Sequence, residues 1–347
     1  MGTKKAIQTN TGSDKAAKAW DYVRDYSRHC DVNEYLGEEL GDRFLTYRKR
    51  WREATSFTKE FDFPLFLVFE TMFKCNLKCV MCLHSSPGKE VYSYDKKLPI
   101  SVFKNIMKEC ALHYCPSMTF GGTSEPLLDP DLVEMIRLAK GIGFIDIMLN
   151  TNATLLDPVI SRRLIDSGLT RLRVGFDGLT KGTYEKIRIG ANFEKVKSNI
   201  IGFVQMRDRM KARLPIVRIS CVDLLENNSE LQGFVEFWKP VADYVSIQVY
   251  RPHEFTKRRL KMWPKDKTKA MNVVCTQPFE RVYIRGNGDV HACCNVAFGP
   301  KIGNVHEASI YDMWNSDKMR MLQKALKHGS WENIPGCREC LKHARNT

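Results

Sequence analysis

The stretch FKCNLKCVMC (Phe73–Cys82) places three thiols, Cys75, Cys79 and Cys82, within one short loop. Thiolates are soft ligands, suited to zinc or to iron–sulfur clusters. A structural zinc site closes with four ligands, and His84 is the nearest substitute for the missing one. Three thiols around a cluster leave one metal accessible, which is how a metal centre does chemistry instead of only holding a fold. A second set, Cys275, Cys293, Cys294, Cys337 and Cys340, has enough thiols for four ligands. Spacing alone does not choose between zinc and iron–sulfur there. Of the adjacent pair, Cys293 is the better ligand by spacing, because neighbouring side chains of an extended strand face opposite ways. Cys294 then reads as a buried spectator, with a swapped ligand or a hydrogen-atom donor as its functional alternatives. Cys30, Cys110, Cys115 and Cys221 are scattered and read as inert buried thiols.

These groups need a scaffold, and the chain of 347 residues, 43% hydrophobic, is long enough for one large domain and a smaller one. Polar residues with helical spacing fill the N-terminal part, at Ala19–Tyr26 and Tyr35–Trp51, so residues 1–62 are expected to form a helical extension. From Phe63 short apolar runs alternate with helical stretches. Strands are expected at Leu65–Glu70, Met118–Gly121, Ile145–Asn150, Arg171–Phe176, Ile216–Val222 and Tyr244–Val249. Helices are expected at Ser101–Leu112, Pro130–Lys140, Pro158–Ser167, Asn192–Arg209 and Ser229–Trp238. This βα rhythm implies an α/β fold with a parallel sheet curled into a partial barrel over residues 63–262. Chemistry in such folds collects at the C-terminal ends of strands, and the triple-cysteine loop follows the first strand. Lys261–Lys269 reads as a linker. Residues 263–347 then form a smaller unit, with a hairpin around Asn287-Gly288 and a helix over Ile310–Leu326.

The net charge of +14 raises the question of an anionic partner. The basic residues are dispersed, with runs only at Tyr47–Arg52 and Lys257–Lys261, so nucleic acid is disfavoured and solvated surface or an anionic small substrate is expected. No apolar run approaches the roughly 20 residues of a membrane span, and no secretory h-region opens the chain. A cytoplasmic protein with no membrane partner is expected, and there clustered cysteines read as metal ligands.

CNLKCVMC after a barrel-opening strand closely resembles the signature of the radical S-adenosylmethionine (SAM) superfamily. FGGTSEPLLDPDL (Phe120–Leu132), LNTNATLLD (Leu149–Asp157) and VGFDGLTKGTYEKIRIGANFEKVKSNI (Val174–Ile200) resemble its later motifs in the right order. The resemblance extends over about Phe63–His343 and is to the SPASM/twitch subgroup, whose twitch members carry a single auxiliary 4Fe-4S cluster. It implies a partial (β/α)6 TIM-like barrel, SAM, and two 4Fe-4S clusters. Cys75, Cys79 and Cys82 would hold the first cluster, and Cys275, Cys293, Cys337 and Cys340 the second. SAM would chelate the open iron and be cleaved to a 5′-deoxyadenosyl radical that abstracts a substrate hydrogen. Gly121 and Gly122 would let backbone approach the methionine end of SAM. Ser124 stands in place of the familiar glycine, and Glu125 would accept hydrogen bonds near the amino group. Asn152, Thr154 and Asp177 would face ribose and carboxylate, Arg188 an anionic group, and Met81, Cys221 and Val222 the adenine.

A second cluster closed by four thiolates suits electron transfer. The subgroup resemblance therefore implies dehydrogenation of a secondary alcohol on a sugar, aminocyclitol or nucleotide-linked sugar. Two alternatives are a peptide epimerase or maturase and a non-catalytic zinc-binding interaction protein. The partners expected are a small, carbohydrate-like or anionic substrate and an electron donor such as flavodoxin or ferredoxin. Tyr250, Arg251, His253 and Glu254 follow the sixth strand, where substrates approach. His253 or Glu254 is the candidate base. Arg251 with Lys257, Arg258 and Arg259 is a candidate phosphate site.

Overall fold

The computed structural model describes residues 23–28, 31–86, 93–250, 275–295 and 299–345. Among the described residues ten strands are hydrogen-bonded into one sheet in the order β1-β7-β6-β5-β4-β3-β2-β8-β9-β10. The six central ones are β2 (Phe66–Glu70), β3 (Ser117–Phe120), β4 (Asp146–Thr151), β5 (Arg171–Gly175), β6 (Ile216–Asp223) and β7 (Tyr244–Val249). They run parallel, each beside its sequence neighbour. The helices between them are α3 (Ile100–Leu112), α4 (Leu132–Ile142), α5 (Pro158–Ile165), α6 (Lys181–Ile187), α7 (Phe193–Arg209) and α8 (Leu231–Trp238). These are the expected strands and helices, shifted at their ends by a residue or two, with α6 as an additional helix that was not expected.

Local signals explain the helices. The Asp157 carboxylate accepts the Ile160 N–H at 2.8 Å, and Pro158 opens α5 where its missing donor costs nothing. Asn192 caps α7 in the same way, and α7 buries Val196, Ile200, Phe203 and Val204, a helical stripe. That stripe joins Leu149, Leu172, Val174 and Ile219 in the main core, so one face of the sheet is covered by helices. Alternate strand residues turn to the opposite, inner face.

The N-terminal part departs from expectation. Val23–Ser27 is not helical but forms β1, antiparallel to β7 with Val23 opposite Gln248. Without it β7 would present an unpaired edge, and saturating that edge outweighs a weak helical spacing. Residues 1–22 lie outside the described ones. Two helices follow, α1 (Val32–Leu40) and α2 (Asp42–Thr55). Leu36, Phe44 and Tyr47 pack with Ile145, Ile216 and Tyr244, closing the N-terminal end of the inner face. Tyr47 accepts the Ser117 hydroxyl at 3.0 Å.

The C-terminal part continues the same sheet. β8 (Arg281–Arg285) pairs parallel with β2, and the hairpin to β9 (Asp289–His291) turns at Asn287-Gly288 as expected. β10 (Lys301–Asn304) follows. The single helix expected over Ile310–Leu326 is two, α9 (Ile310–Trp314) and α10 (Asp317–Lys327). The Ser316 hydroxyl accepts the Met319 N–H and starts a new helix, a competition that hydrophobic period alone does not reveal. The last helix is α11 (Pro335–Arg345). Glu109 of α3 accepts the Ile310 N–H at 3.0 Å, and Trp314 donates its indole N–H to the Phe61 carbonyl at 2.8 Å, docking this part on the barrel. Among the described residues no helix is long and apolar enough to cross a membrane.

Candidate active site and metal centres

The triple-cysteine loop leaves the C-terminal end of β2 and ends in a short 3-10 turn at Leu83–Ser85. Its backbone is fastened from two sides. Lys78 and Val80 donate their N–H groups to the carbonyls of Ile189 and Ile187, at 2.9 and 3.0 Å. On the other side Lys74 accepts the Glu125 N–H at 2.8 Å. Asn76, between the first two cysteines, is locked by side chains from the loop after β4. It donates to the Thr154 hydroxyl at 2.7 Å and accepts from the Asn152 amide at 2.9 Å. The Asn152 amide also lies 3.9 Å from the Cys75 sulfur. Burial pushes all three thiols up from the ordinary value, Cys82 to about 12, while the Arg188 guanidinium acts the other way on each. Three soft donors in one braced loop beside a cation fit a cluster.

Arg188 is positioned from below and behind. Asp177, fully buried, accepts from its Nε at 2.7 Å and its Nη2 at 2.6 Å, and from the Val222 N–H at 2.7 Å. Burial alone would lower the Arg188 pKa, but Asp177 outweighs it and the guanidinium is held above its ordinary value. A Cβ on Gly175 would come 2.2 Å from Nη2, so the absence of a side chain there is what seats the arginine. Asp177 and Arg188 are thus one unit, not two separate contacts.

Glu125, also buried, takes the Thr151 hydroxyl at 2.7 Å, the Leu127 N–H at 3.0 Å and the Asn152 N–H at 2.7 Å. Both its oxygens already accept from the protein, and Ser124 lies half-buried in the same turn. Burial raises its pKa, with these donors opposing. Gly121 has a φ of +133°, and a Cβ on Gly122 would meet the Tyr283 hydroxyl at 1.7 Å. The space beside Gly122 is therefore filled by β8. Met81, Val222 and Tyr250 share one small apolar cluster with Ile187 and Leu224, so Tyr250 is packed rather than free in a substrate space. Cys221 is buried, and the Asn227 amide reaches its sulfur at 3.4 Å. Arg251, His253, Glu254 and the Lys257–Lys261 run lie outside the described residues, as does Cys30.

Glu70, the last residue of β2, was not singled out in the sequence. It is fully buried and accepts the Thr123 N–H and hydroxyl at 2.7 and 2.5 Å and the Tyr94 and Tyr283 hydroxyls, each at 3.2 Å. Arg285 of β8 stands 3.5 Å away. An acidic residue ending an otherwise apolar strand was the available signal.

The second thiol group lines one pocket: Cys275, Cys293, Cys294, Cys337 and Cys340, with Leu322, Leu326 and Leu341. The alternation expected for Cys293 and Cys294 does not apply, because β9 ends at His291 and both residues line the pocket from a bend. They remain unequal. A Cβ on Gly299 would lie 2.6 Å from the Cys293 sulfur, whereas Cys294 is exposed, not buried, and held by Gln277, whose amide donates to its sulfur at 3.3 Å. Among the described residues no three His, Cys, Asp or Glu side chains stand as a ready site for a single metal ion, so the fit to a cluster rests on donor chemistry, soft thiols in an apolar wall.

The family descriptions "Radical SAM superfamily" and "Iron-sulfur cluster-binding domain" (SPASM) match residues 69–214 and 275–341. The chain is 25% identical over 254 residues to the GTP 3′,8-cyclase of Lactiplantibacillus plantarum, covering 72% of this chain and 73% of that one. It is 32% identical over 175 residues to the probable GTP 3′,8-cyclase of Methanothermobacter marburgensis, 50% of this chain and about half (53%) of that relative. In fold it is similar to Streptococcus suis SuiB bound to S-adenosylmethionine, with a TM-score of 0.58 at 17% identity over 79% of this chain and 70% of SuiB. Residues 69–214 therefore carry a radical SAM domain and residues 275–341 a SPASM-type iron–sulfur unit, and the two together imply SAM and two iron–sulfur clusters as cofactors.

Proposed function

We propose that this radical SAM enzyme carries out a two-electron oxidation of a secondary alcohol on a sugar, aminocyclitol or nucleotide-linked sugar. The observation that carries the proposal is the second pocket: five cysteines line it, enough for the protein to fill every ligand position of a cluster. A centre closed in that way suits electron transfer and leaves no position for substrate. When bound, SAM with the first cluster supplies hydrogen-atom abstraction, and the second cluster supplies an electron acceptor.

The chain's own residues position and shield. Asp177 holds Arg188 over Gly175 beside the three thiols, where a guanidinium suits a carboxylate. Met81, Val222 and Tyr250 supply an apolar wall that excludes water. His253 or Glu254, each following β7 in the sequence, is the proposed base for the alcohol proton, with Arg251 a proposed substrate contact. Anaerobically reconstituted enzyme, given reductant and SAM, is expected to convert a member of this substrate class to its ketone with an equal amount of 5′-deoxyadenosine. Deoxyadenosine without an oxidised product from any of them removes the proposal.

A second reading rests on the similarity to proteins named GTP 3′,8-cyclase across the barrel. It is a redox-neutral rearrangement of a nucleotide, and GTP in the same assay would then give an isomeric product.

A further inference from the structure

The inner face of the barrel holds an unbalanced charge. Arg173 of β5 and Arg218 of β6 are direct register partners, with Asn150 of β4 next in the same row. Their strand neighbours Leu172, Val174, Val217 and Ile219 enter the helix-covered core, so these side chains turn to the other face. Like charges directly opposite each other on adjacent strands destabilise a sheet unless something offsets them.

The protein offsets this pair only in part. Arg173 donates from Nε to the Ser220 hydroxyl at 2.9 Å and from Nη2 to the Gln248 side-chain oxygen, both neutral partners. Among the described residues Arg218 has one carboxylate, Asp25, at 3.5 Å, and the Tyr244 ring face 5.3 Å away; Asp25 is itself 46% exposed and shared with the Ser246 hydroxyl. Asp146 is committed to Arg171, and Asp177 to Arg188. Two buried polar atoms in the row, Arg218 Nε and Asn150 Oδ1, have no hydrogen-bond partner among the described residues. Burial, and next the charge of Arg218, push the Arg173 guanidinium down to about 9. Each of these tensions is relieved by one kind of occupant.

We infer that Arg173, Arg218 and Asn150 form an oxyanion site in the barrel, which takes the phosphate or carboxylate of a polyol-type substrate. The oxyanion accepts from the two guanidiniums, and a ligand hydroxyl donates to Asn150. The bottom of this face is closed by α1 and α2, so the ligand enters from the rim. Arg173 reaches toward that rim, since Gln248 is the register partner of Val222. An anchored anion thereby directs the rest of the molecule toward the three-cysteine loop. This rests on the proposed function only in taking the barrel face as the substrate side.

The test is calorimetric titration of reconstituted, SAM-loaded enzyme with inorganic phosphate, glucose 6-phosphate, gluconate and glucose. Saturable binding of phosphate or of either charged sugar is expected, with glucose weaker. Arg173→Gln and Arg218→Gln are each expected to weaken it about tenfold or more, the loss of one charge-assisted hydrogen bond, and Arg218→Lys less. Stronger glucose 6-phosphate binding assigns a phosphate ester; stronger gluconate binding assigns a carboxylate. Iron content and SAM binding check that the variants fold. Should they not, a thermal midpoint of the native enzyme raised by phosphate over chloride at equal ionic strength takes their place. Anions that fail to bind at about 10 mM, or that bind both Gln variants as tightly as the native enzyme, overturn the inference. Anion binding without any oxidised product would instead sink the proposed reaction and leave this site standing.

Discussion

The two thiol groups differ in how they are assembled. Cys75, Cys79 and Cys82 come from one continuous loop whose shape is imposed by the barrel, through Asn76, Thr154 and the Ile187 and Ile189 carbonyls. The second group is drawn from separate segments, Cys275 ahead of β8, Cys293 and Cys294 beyond β9, and Cys337 and Cys340 on α11. A loop braced by strand ends can afford to be one donor short, because its geometry does not depend on the metal. A site gathered from distant segments closes on itself and has a donor to spare. On the proposed reading, openness at one centre and closure at the other follow from chain order as much as from ligand count.

The largest expected effect comes from Cys79→Ala. It should abolish 5′-deoxyadenosine formation and reduce iron from about eight to about four per chain, leaving the second centre intact. Loss of all iron would mean that the two regions are not separately assembled.

Next comes the unequal pair. Cys293→Ala is expected to lose about four irons, while Cys294→Ala keeps them, because Cys293 packs into the pocket and Cys294 is exposed against Gln277. Deoxyadenosine formation should survive both changes. Equal iron loss in the two variants would remove the distinction between ligand and spare thiol.

Glu70 tests whether the regions unfold together. It sits on β2, and its partners Tyr283 and Arg285 are on β8, so it bonds the barrel to the C-terminal part. Glu70→Gln leaves Arg285 buried without its carboxylate and should cost about 3 kcal/mol in urea unfolding. Tyr283→Phe, removing one hydrogen bond, should cost about 1 kcal/mol. A single shifted transition means one cooperative unit; two separated transitions would show that the seam is weaker than its hydrogen bonds suggest.

Much of this was legible in the sequence, for a physical reason. The six parallel strands and their helices announce themselves by local period, and the thiols by local spacing. What was not legible depends on register between distant strands. Gly122 reads as a glycine that lets backbone approach a cofactor, and only the pairing of β8 with β2 adds that Tyr283 occupies the place of a side chain there. Arg173 and Arg218 are distant in sequence, and only the β5–β6 pairing makes them neighbours. Val23–Ser27 reads as helix because nothing local reveals that β7 needs a partner. Cys294 was misplaced by assuming that the strand continued past His291.

The smallest effect is expected at Glu230, and it should touch only the first thiol group. Its carboxylate accepts the Leu179 N–H at 2.7 Å and the Thr180 and Thr183 hydroxyls at 2.8 and 2.6 Å, clamping the start of α6. The far end of α6 runs into Ile187 and Ile189, whose carbonyls hold Lys78 and Val80. Burial would raise the Glu230 pKa, but these donors outweigh it and hold it below the ordinary carboxylate value. A depressed carboxylate contributes stability that is fully present above its unfolded value of about 4.3 and is lost as pH falls through the folded one. Glu230→Gln should therefore cost a constant amount from neutral pH down to about 5.5, with the gap to the native chain closing only in the acid limb. Because the site is open to solvent and screened, that amount should not exceed about 1 kcal/mol. Hydrogen exchange at neutral pH gives the spatial check: amides of α6 and of the Cys75–Cys82 loop should lose protection, and those around Cys337 should not. Equal loss in both places would mean that the barrel loop is not held independently of the second site.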